Sequence, residues 1–294
     1  MIAVGQDPSF GVVSKADREH FDGLAALVSS LRQHMRAVPI QVLDCGLTPV
    51  QRRDLEALGA HVTEVDVSSY EIRRAEDQGK FSSAIYAILE ADFPEWAVTI
   101  ALDADTLVLG DLTEIARAAM RSGLTAAPDH PPLDLRHQIG SEGALPDILS
   151  AMPELDLSRT AFNAGVLGFR NDYFRERILP AARKLKPLHQ RLWANDQAIL
   201  NLAAFAANPD QPYEALDRAY NARPRYRRAP GMAPPQETWS AAGPGLRQGD
   251  SAIHVMHFVG HPKPWMPGYP ADCPALATWR AYRETAGDSP CVVS

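Results

Sequence analysis

Cysteine is scarce. The 294 residues hold three, Cys45, Cys273 and Cys291, an odd number at wide spacings. That pattern matches neither a disulfide framework nor a zinc motif, so the three read as free thiols. An excess of positive charge is also missing. With a net charge of −7 and a sequence pI near 5.7, no overall field recommends nucleic acid or anionic lipid as the main partner, and any basic site must be local. Long apolar runs are absent, since none approaches the roughly 20 residues that a membrane span needs. The N-terminal stretch Met1-Ile-Ala-Val-Gly-Gln-Asp-Pro8 has neither a charged n-region nor an apolar h-region, so a cytoplasmic location is expected. No repeat or low-complexity tract appears.

What is present is apolar content of 46%, ample for one large α/β domain or two small ones. Phe10 to Ser14 reads as a short strand, and Leu24, Leu27, Val28, Leu31 and Met35 recur with helical spacing, which puts Asp17 at a strand-to-helix turn. Ile40 to Asp44 is a second strand. Thr48-Pro49 opens a helix with a capping residue and a proline at its first position, and Val62 to Val67 is a third strand. Lys80 to Leu89 and Leu112 to Met120 read as helices around a central strand, Val98 to Leu102. Alternation of this kind implies a mostly parallel, doubly wound sheet whose ligands bind at the carboxyl ends of its strands.

Beyond Asp129 the pattern changes. Prolines 128, 131 and 132 mark a loop, and Ala144 to Met152 is a short helix. Phe162 to Phe169 reads as a turn, made at Gly165, running into a buried strand. Asp172 is placed to cap a helix through Leu185, and Asn195 to Asn201 starts another. Proline, glycine and arginine crowd residues 208–249, an irregular lobe, where Arg223, Arg225, Arg227 and Arg228 form a local basic patch suited to peripheral membrane contact. A strand from Ala252 to Val259 and a last helix from about Pro274 to Glu284 follow. His254 reads as a core or surface residue.

The stretch Val98 to Gly110 organises the chain. Its β-branched apolar run ends on acids, as a buried strand does where it opens into a site. In an extended segment side chains alternate, so Asp103 and Asp105 would point the same way, about 7 Å apart along the backbone, and could share one divalent cation.

Four motifs in order carry a resemblance: Leu102-Asp-Ala-Asp-Thr-Leu-Val-Leu109, Phe162-Asn-Ala-Gly-Val-Leu167, Asp196-Gln-Ala-Ile-Leu-Asn201 and His257-Phe-Val-Gly-His-Pro-Lys-Pro-Trp265. With them the chain resembles family 8 type glycosyltransferases of the GT-A fold, the group that includes glycogenin and lipopolysaccharide galactosyltransferases. The resemblance implies an α/β fold with a Rossmann-like, mostly parallel sheet, helices on both faces and an irregular C-terminal lobe. It implies a single domain over 1–294, with residues 1–130 the nucleotide-binding half and 131–294 the half that completes the acceptor and metal sites.

The activity implied is transfer of a hexose from a UDP-sugar to a saccharide or other hydroxyl acceptor, with retention. By resemblance, Asp103, Asp105 and His257 hold Mn²⁺, with Mg²⁺ the alternative ion. Asp17, Ala104, Gly260 and Lys263 contact the nucleotide and its diphosphate. Asp129, Asn163, Ala164 and Asp196 face the sugar or acceptor, and Asp196 and Gln197 lie on the sugar's reacting face, where Gln197 is expected to act. Retention would proceed through a covalent intermediate on a carboxylate or amide, or through same-face attack. One departure stands out. Many relatives carry a basic residue on the helix before the metal motif, where this chain reads Tyr86-Ala-Ile-Leu89, and Lys80 is the candidate replacement. Two other readings remain at this point, a nucleotide-sugar hydrolase and a degenerate domain that binds a UDP-sugar without turnover. Sugar, acceptor and oligomeric state are open.

Overall fold

The computed structural model describes residues 8–66, 88, 95–129, 132–140, 143–224, 239–240, 246–248 and 251–287. Lys80 and the helix expected around it lie outside these, apart from helical Ile88, as do Arg225, Arg227 and Arg228.

In chain order the strands are β1 (Phe10–Ala16), β2 (Ile40–Asp44), β3 (His61–Glu64), β4 (Val98–Leu102), β5 (Thr106–Val108), β6 (Leu124–Pro128), β7 (Phe162–Arg170), β8 (Glu214–Ala215), β9 (Trp239–Ser240), β10 (Arg247–Gln248), β11 (Ser251–Ala252) and β12 (Val255–His257). The main helices are α1 (Phe21–His34), α2 (Pro49–Ala57), α3 (Thr113–Ser122), α4 (Leu135–Ile139), α5 (Leu145–Ala151), α6 (Leu179–Leu185), α7 (Asn195–Ala207) and α8 (Pro274–Gly287). The chain divides into two compact units, one made of Met1–Gly11, Val65–Ala101 and Thr113–Leu216, the other of Val12–Glu64, Leu102–Leu112 and Asp217–Ser294.

In the second unit β1, β2 and β3 pair in parallel, with Ala16 opposite Asp44 and Asp44 opposite Glu64. Parallel neighbours need a crossover, and α1 and α2 supply it. α2 starts on a full capping box, in which Thr48 Oγ1 accepts from the Gln51 N–H and the Gln51 side chain accepts from the Thr48 N–H. These reciprocal bonds satisfy two donors that a helix start otherwise leaves unpaired. α1 buries Leu24, Leu27, Val28 and Leu31. On the same helix Ser30 Oγ donates to the Leu27 carbonyl and accepts from the Val108 N–H, so α1 holds β5 by a side chain. β5 runs antiparallel to β12, with Thr106 opposite His257. Leu107, Met256, Phe258, Leu276 and Trp279 belong to one buried apolar cluster that includes residues of both strands.

In the first unit β7 lies between β4 and β6. β6 pairs antiparallel to β7 and parallel to β8. α3 covers β6 and β7. Gly168 on β7 lies so close to Ile115 of α3 that a Cβ there would stand 2.6 Å from its Cγ2. α7 buries Ala198 through Phe205.

Several local expectations are corrected. Asp103 and Asp105 sit on a turn rather than an extended strand end, because the Thr106 N–H and hydroxyl both donate back to the Asp103 carbonyl. Gly165 lies inside β7 and makes no turn. Asp172 caps no helix. It accepts from Arg170 and from the Tyr173 N–H, and the chain reaches α6 through a short helical turn and a π-turn, Phe174–Ile178. The strand expected over Ala252 to Val259 is split into β11 and β12, where the His254 N–H turns to donate to the Ala219 carbonyl. His254, half-buried, stacks on Tyr220 with ring centroids 4.5 Å apart. Among the described residues no helix is long and apolar enough to cross a membrane.

Candidate active site

The second unit gathers Asp103, Asp105 and His257 so that one ligand atom from each lies within 4.8 Å of the others. The antiparallel pairing of β5 and β12 does this, since the Phe258 N–H donates to the Asp105 carbonyl and sets His257 beside the turn. His257 Nε2 is 3.3 Å from Asp105 Oδ1 and 3.9 Å from Asp103 Oδ2. Its other nitrogen, Nδ1, donates to Asn221 Oδ1 at 2.9 Å. That bond fixes the tautomer and leaves the Nε2 lone pair facing the carboxylates. Asn221 is held in turn because its neighbour Ala222 bridges to Met256, and the His257 N–H donates to the Ala222 carbonyl at 2.7 Å.

Two lysines flank the carboxylates. Lys263 Nζ bonds Asp105 Oδ2 and also donates to the Phe258 carbonyl at 3.1 Å. Lys15, 2% exposed on β1, brings Nζ within 3.8 Å of Asp103 Oδ1. Burial would push the Asp105 carboxyl up, but the adjacent Lys263 ammonium, joined by the charge and N–H of His257 whenever its ring is protonated, prevails and holds it well below the usual carboxylate range. A donor set of two carboxylates and one imidazole suits a divalent ion of intermediate hardness, so the cluster could hold one.

Asp17 follows β1. Its Oδ1 accepts from the Glu19 and His20 N–H groups and bonds the His20 ring at 2.9 Å, capping its own turn. Burial pushes its carboxyl up, but the His20 contacts outweigh that and leave it below the ordinary value. The same turn meets the lysine loop, where Trp265 Nε1 donates to the Glu19 carbonyl at 3.0 Å. Ala104 is buried between the two acids. Gly260, between β12 and Lys263, has φ +86°, a left-handed conformation that glycine adopts without strain.

The first unit assembles a second constellation. Asp129 follows β6, Asn163 and Ala164 lie on β7, and Gln197 is on the first turn of α7. Gln197 Oε1 accepts from Asn163 Nδ2 at 2.8 Å and from the Ala164 N–H at 3.0 Å, while its Nε2 donates to Asp129 Oδ2 at 3.0 Å. Asp196 is half-buried beside it.

Four residues that contact these clusters carried no assignment from sequence: Lys15 and Asn221 at the first, and Gln138 and Asn201 at the second, where they bond Asp129 Oδ2 and the Gln197 carbonyl. Lys15 gave one signal, a charge directly after the strand read over Phe10 to Ser14, where burial of a charge is rare unless it is paired. Asn201 gave another, its spacing four residues after Gln197 on one helix face. Gln138 and Asn221 gave none.

Fold and cluster together define a glycosyltransferase of the GT-A type whose Asp103, Asp105 and His257 could hold a metal. Residues 11–267 match the family described as Glycosyl transferase family 8, and the chain belongs to that family. No curated protein sequence matches it. Among solved structures it resembles the galactosyltransferase LgtC in complex with donor and acceptor sugar analogs, at 18% identity and a TM-score of 0.62, covering 94% of this chain and 95% of that one. An active-site mutant of LgtC gives 17% identity and a TM-score of 0.64 over the same shares. The glycosyltransferase GlyE of Streptococcus pneumoniae TIGR4 in its apo form gives 19% and 0.57, over 94% of this chain and 60% of that one. At these identities the likeness concerns the fold.

Proposed function

We propose that the chain transfers a hexose from a UDP-sugar to an acceptor hydroxyl with retention at the anomeric carbon, using Mn²⁺, with Mg²⁺ the alternative ion. One observation carries this reading, the convergence of Asp103, Asp105 and His257 beside Lys263 in a member of glycosyl transferase family 8. When bound, the metal supplies Lewis-acid stabilisation of the diphosphate leaving group. Asp103 and Asp105 hold it by charge, and His257 offers Nε2 because Asn221 takes its other proton. Lys263 neutralises charge that accumulates on the phosphate as the anomeric bond breaks. Gly260 lets the diphosphate approach the backbone, and Asp17 and Ala104 complete the nucleotide contacts. Asp129, Asn163, Ala164 and Asp196 orient the sugar and acceptor, and Gln197 acts on the sugar. The chain works as a single glycosyltransferase domain in the cytoplasm.

The test is UDP binding by calorimetry with Mn²⁺ and with excess EDTA. Without a metal the carboxylates repel the diphosphate, so chelation is expected to abolish tight binding. Equal UDP affinity in EDTA would overturn the metal-site reading.

A further inference from the structure

Gln138 and Asn201 are each fully buried, with 0% exposure, and adjoin Gln197, Gln138 through the shared Asp129 carboxylate and Asn201 through the Gln197 backbone carbonyl. Gln138 Nε2 donates to Asp129 Oδ2 at 3.3 Å and to the Phe162 carbonyl at 3.2 Å. Its Oε1 accepts from Asn201 Nδ2 at 3.0 Å. Asn201 Oδ1 accepts from the Phe162 N–H, and Asn201 Nδ2 also reaches the Phe162 and Gln197 carbonyls. Every bond has one sense. Asp129 Oδ2 accepts from two amides, those of Gln138 and Gln197, and Gln197 Oε1 accepts from two N–H groups, those of Asn163 and Ala164.

An amide oxygen has two lone pairs and an amide nitrogen two hydrogens. In Gln197 both lone pairs are filled and one hydrogen is given to Asp129, so the valence these bonds leave over is the second Nε2–H. Turning the amide over would set NH₂ against two donors and a carbonyl against a carboxylate, losing three hydrogen bonds and replacing them with repulsive contacts. We infer that Gln197 serves the reaction as a hydrogen-bond donor to an oxygen of the bound sugar, not as a nucleophile or base through its own oxygen, and that Gln138 is the positioning residue that keeps it so. Gln138 does this by sharing the Asp129 oxygen that Gln197 uses, which fixes the carboxylate from its buried side. The inference rests on the proposed transfer reaction for its substrate. Its orientational part rests on the network alone.

The experiment compares Gln197→Ala, Gln197→Glu, Gln197→Glu combined with Asp129→Asn, and Gln138→Met. UDP release from UDP-galactose and UDP-glucose is measured alongside Mn²⁺-dependent UDP affinity and thermal stability. Gln197→Ala should lower release tenfold or more with UDP affinity within twofold of wild type, the mark of an interaction felt in the transition state. Gln197→Glu keeps an oxygen in place of Oε1 but has no N–H, and should fall at least as far. Asp129→Asn relieves the like-charge contact in the double variant and should not bring activity back. Gln138→Met should lower kcat tenfold while leaving the donor KM within twofold, beyond any loss of folded protein.

Release by Gln197→Glu, or by the double variant, at or above the wild-type rate would show that the oxygen does the work and overturn the inference. So would a Gln138→Met enzyme whose kcat falls only with its folded fraction. A wild type that binds UDP with Mn²⁺ but releases none from either sugar overturns it as well, and leaves the nucleotide site standing. Loss of wild-type UDP binding altogether would instead be the failure of the proposed function.

Discussion

His257 carries no charge of its own in the neutral form, so its value to a metal depends on which nitrogen holds the proton, and Asn221 Oδ1 decides that at 2.9 Å. This gives two substitutions of opposite sign. Asn221→Ala frees the imidazole to rotate and to adopt the other tautomer, and divalent metal affinity should drop about 10- to 100-fold, the usual effect of removing such an outer partner. Asn221→Asp puts a carboxylate on the same proton, makes the imidazole a stronger ligand and should tighten binding. Titration calorimetry with Mn²⁺ alone reads both, and equal affinities in the two variants would remove Asn221 from the metal site. From sequence the cluster was legible, because Asp103, Asp105 and His257 stand in recognisable order, and the structure brings the three together. Asn221 was not, since its relevance arises from a bridge between Ala222 and Met256, 34 positions apart. Gln138 was hidden for the same reason, with partners at Asp129, Phe162 and Asn201 brought together only by folding. The burial of Lys263 against Asp105 was hidden likewise, since the two lie far apart in the chain.

The boundaries of β2 and β4 agree with the strands read from sequence, Ile40 to Asp44 and Val98 to Leu102, because each is short and carries β-branched residues, Ile40 and Val42 in one and Val98, Thr99 and Ile100 in the other. The turn that follows β4 was not legible, as it depends on Thr106 bonding back to Asp103 rather than on any glycine or proline. α1 shows how an element away from the motif controls it. At Gly23 a Cβ would stand 2.6 Å from the Ala104 carbonyl oxygen and 2.5 Å from the Trp265 ring. One neighbour is backbone between Asp103 and Asp105, and the other belongs to the loop that carries Lys263. Real Cβ atoms do not approach so closely, so Gly23→Ala must push α1 away or shift the turn. Helix propensity alone would make the change favourable by up to about 1 kcal/mol, but overpacking of this kind costs typically about 1–3 kcal/mol. The variant is therefore expected to be less stable than wild type in urea and to bind Mn²⁺ more weakly. A stabilised protein with unchanged metal affinity would show that α1 does not brace the turn.

On the scale of the whole molecule, the negative net charge and scarcity of cysteine leave stability to the apolar core and to local charge pairs. The Asp105–Lys263 pair lies at the candidate metal cluster. Its side chains are 9% and 10% exposed, so screening by water is weak, and removing one partner of such a pair typically costs about 3–5 kcal/mol. The Asp105 carboxyl is depressed in the folded protein, so the unfolded chain takes up its proton first, near pH 4. The stability this group contributes is thus present above about pH 4 and is lost as pH falls below it. Lys263→Ala should melt well below wild type at neutral pH in EDTA, and its stability should depend less on acid. A divalent ion replaces the missing counter-charge on Asp105 and binds the folded state alone, which adds about 2.7 kcal/mol at a concentration 100 times its Kd. Mn²⁺ is therefore expected to raise the melting temperature of Lys263→Ala more than that of wild type. UDP should still bind the variant more weakly, by about 1.5–3 kcal/mol, because its phosphate has lost a charged donor. Scanning calorimetry with and without Mn²⁺, followed by titration with UDP, separates the two effects. A variant that melts like wild type in EDTA would show that Lys263 does not stabilise Asp105 in the folded protein, and one that melts low but binds UDP with unchanged affinity would make the lysine purely structural.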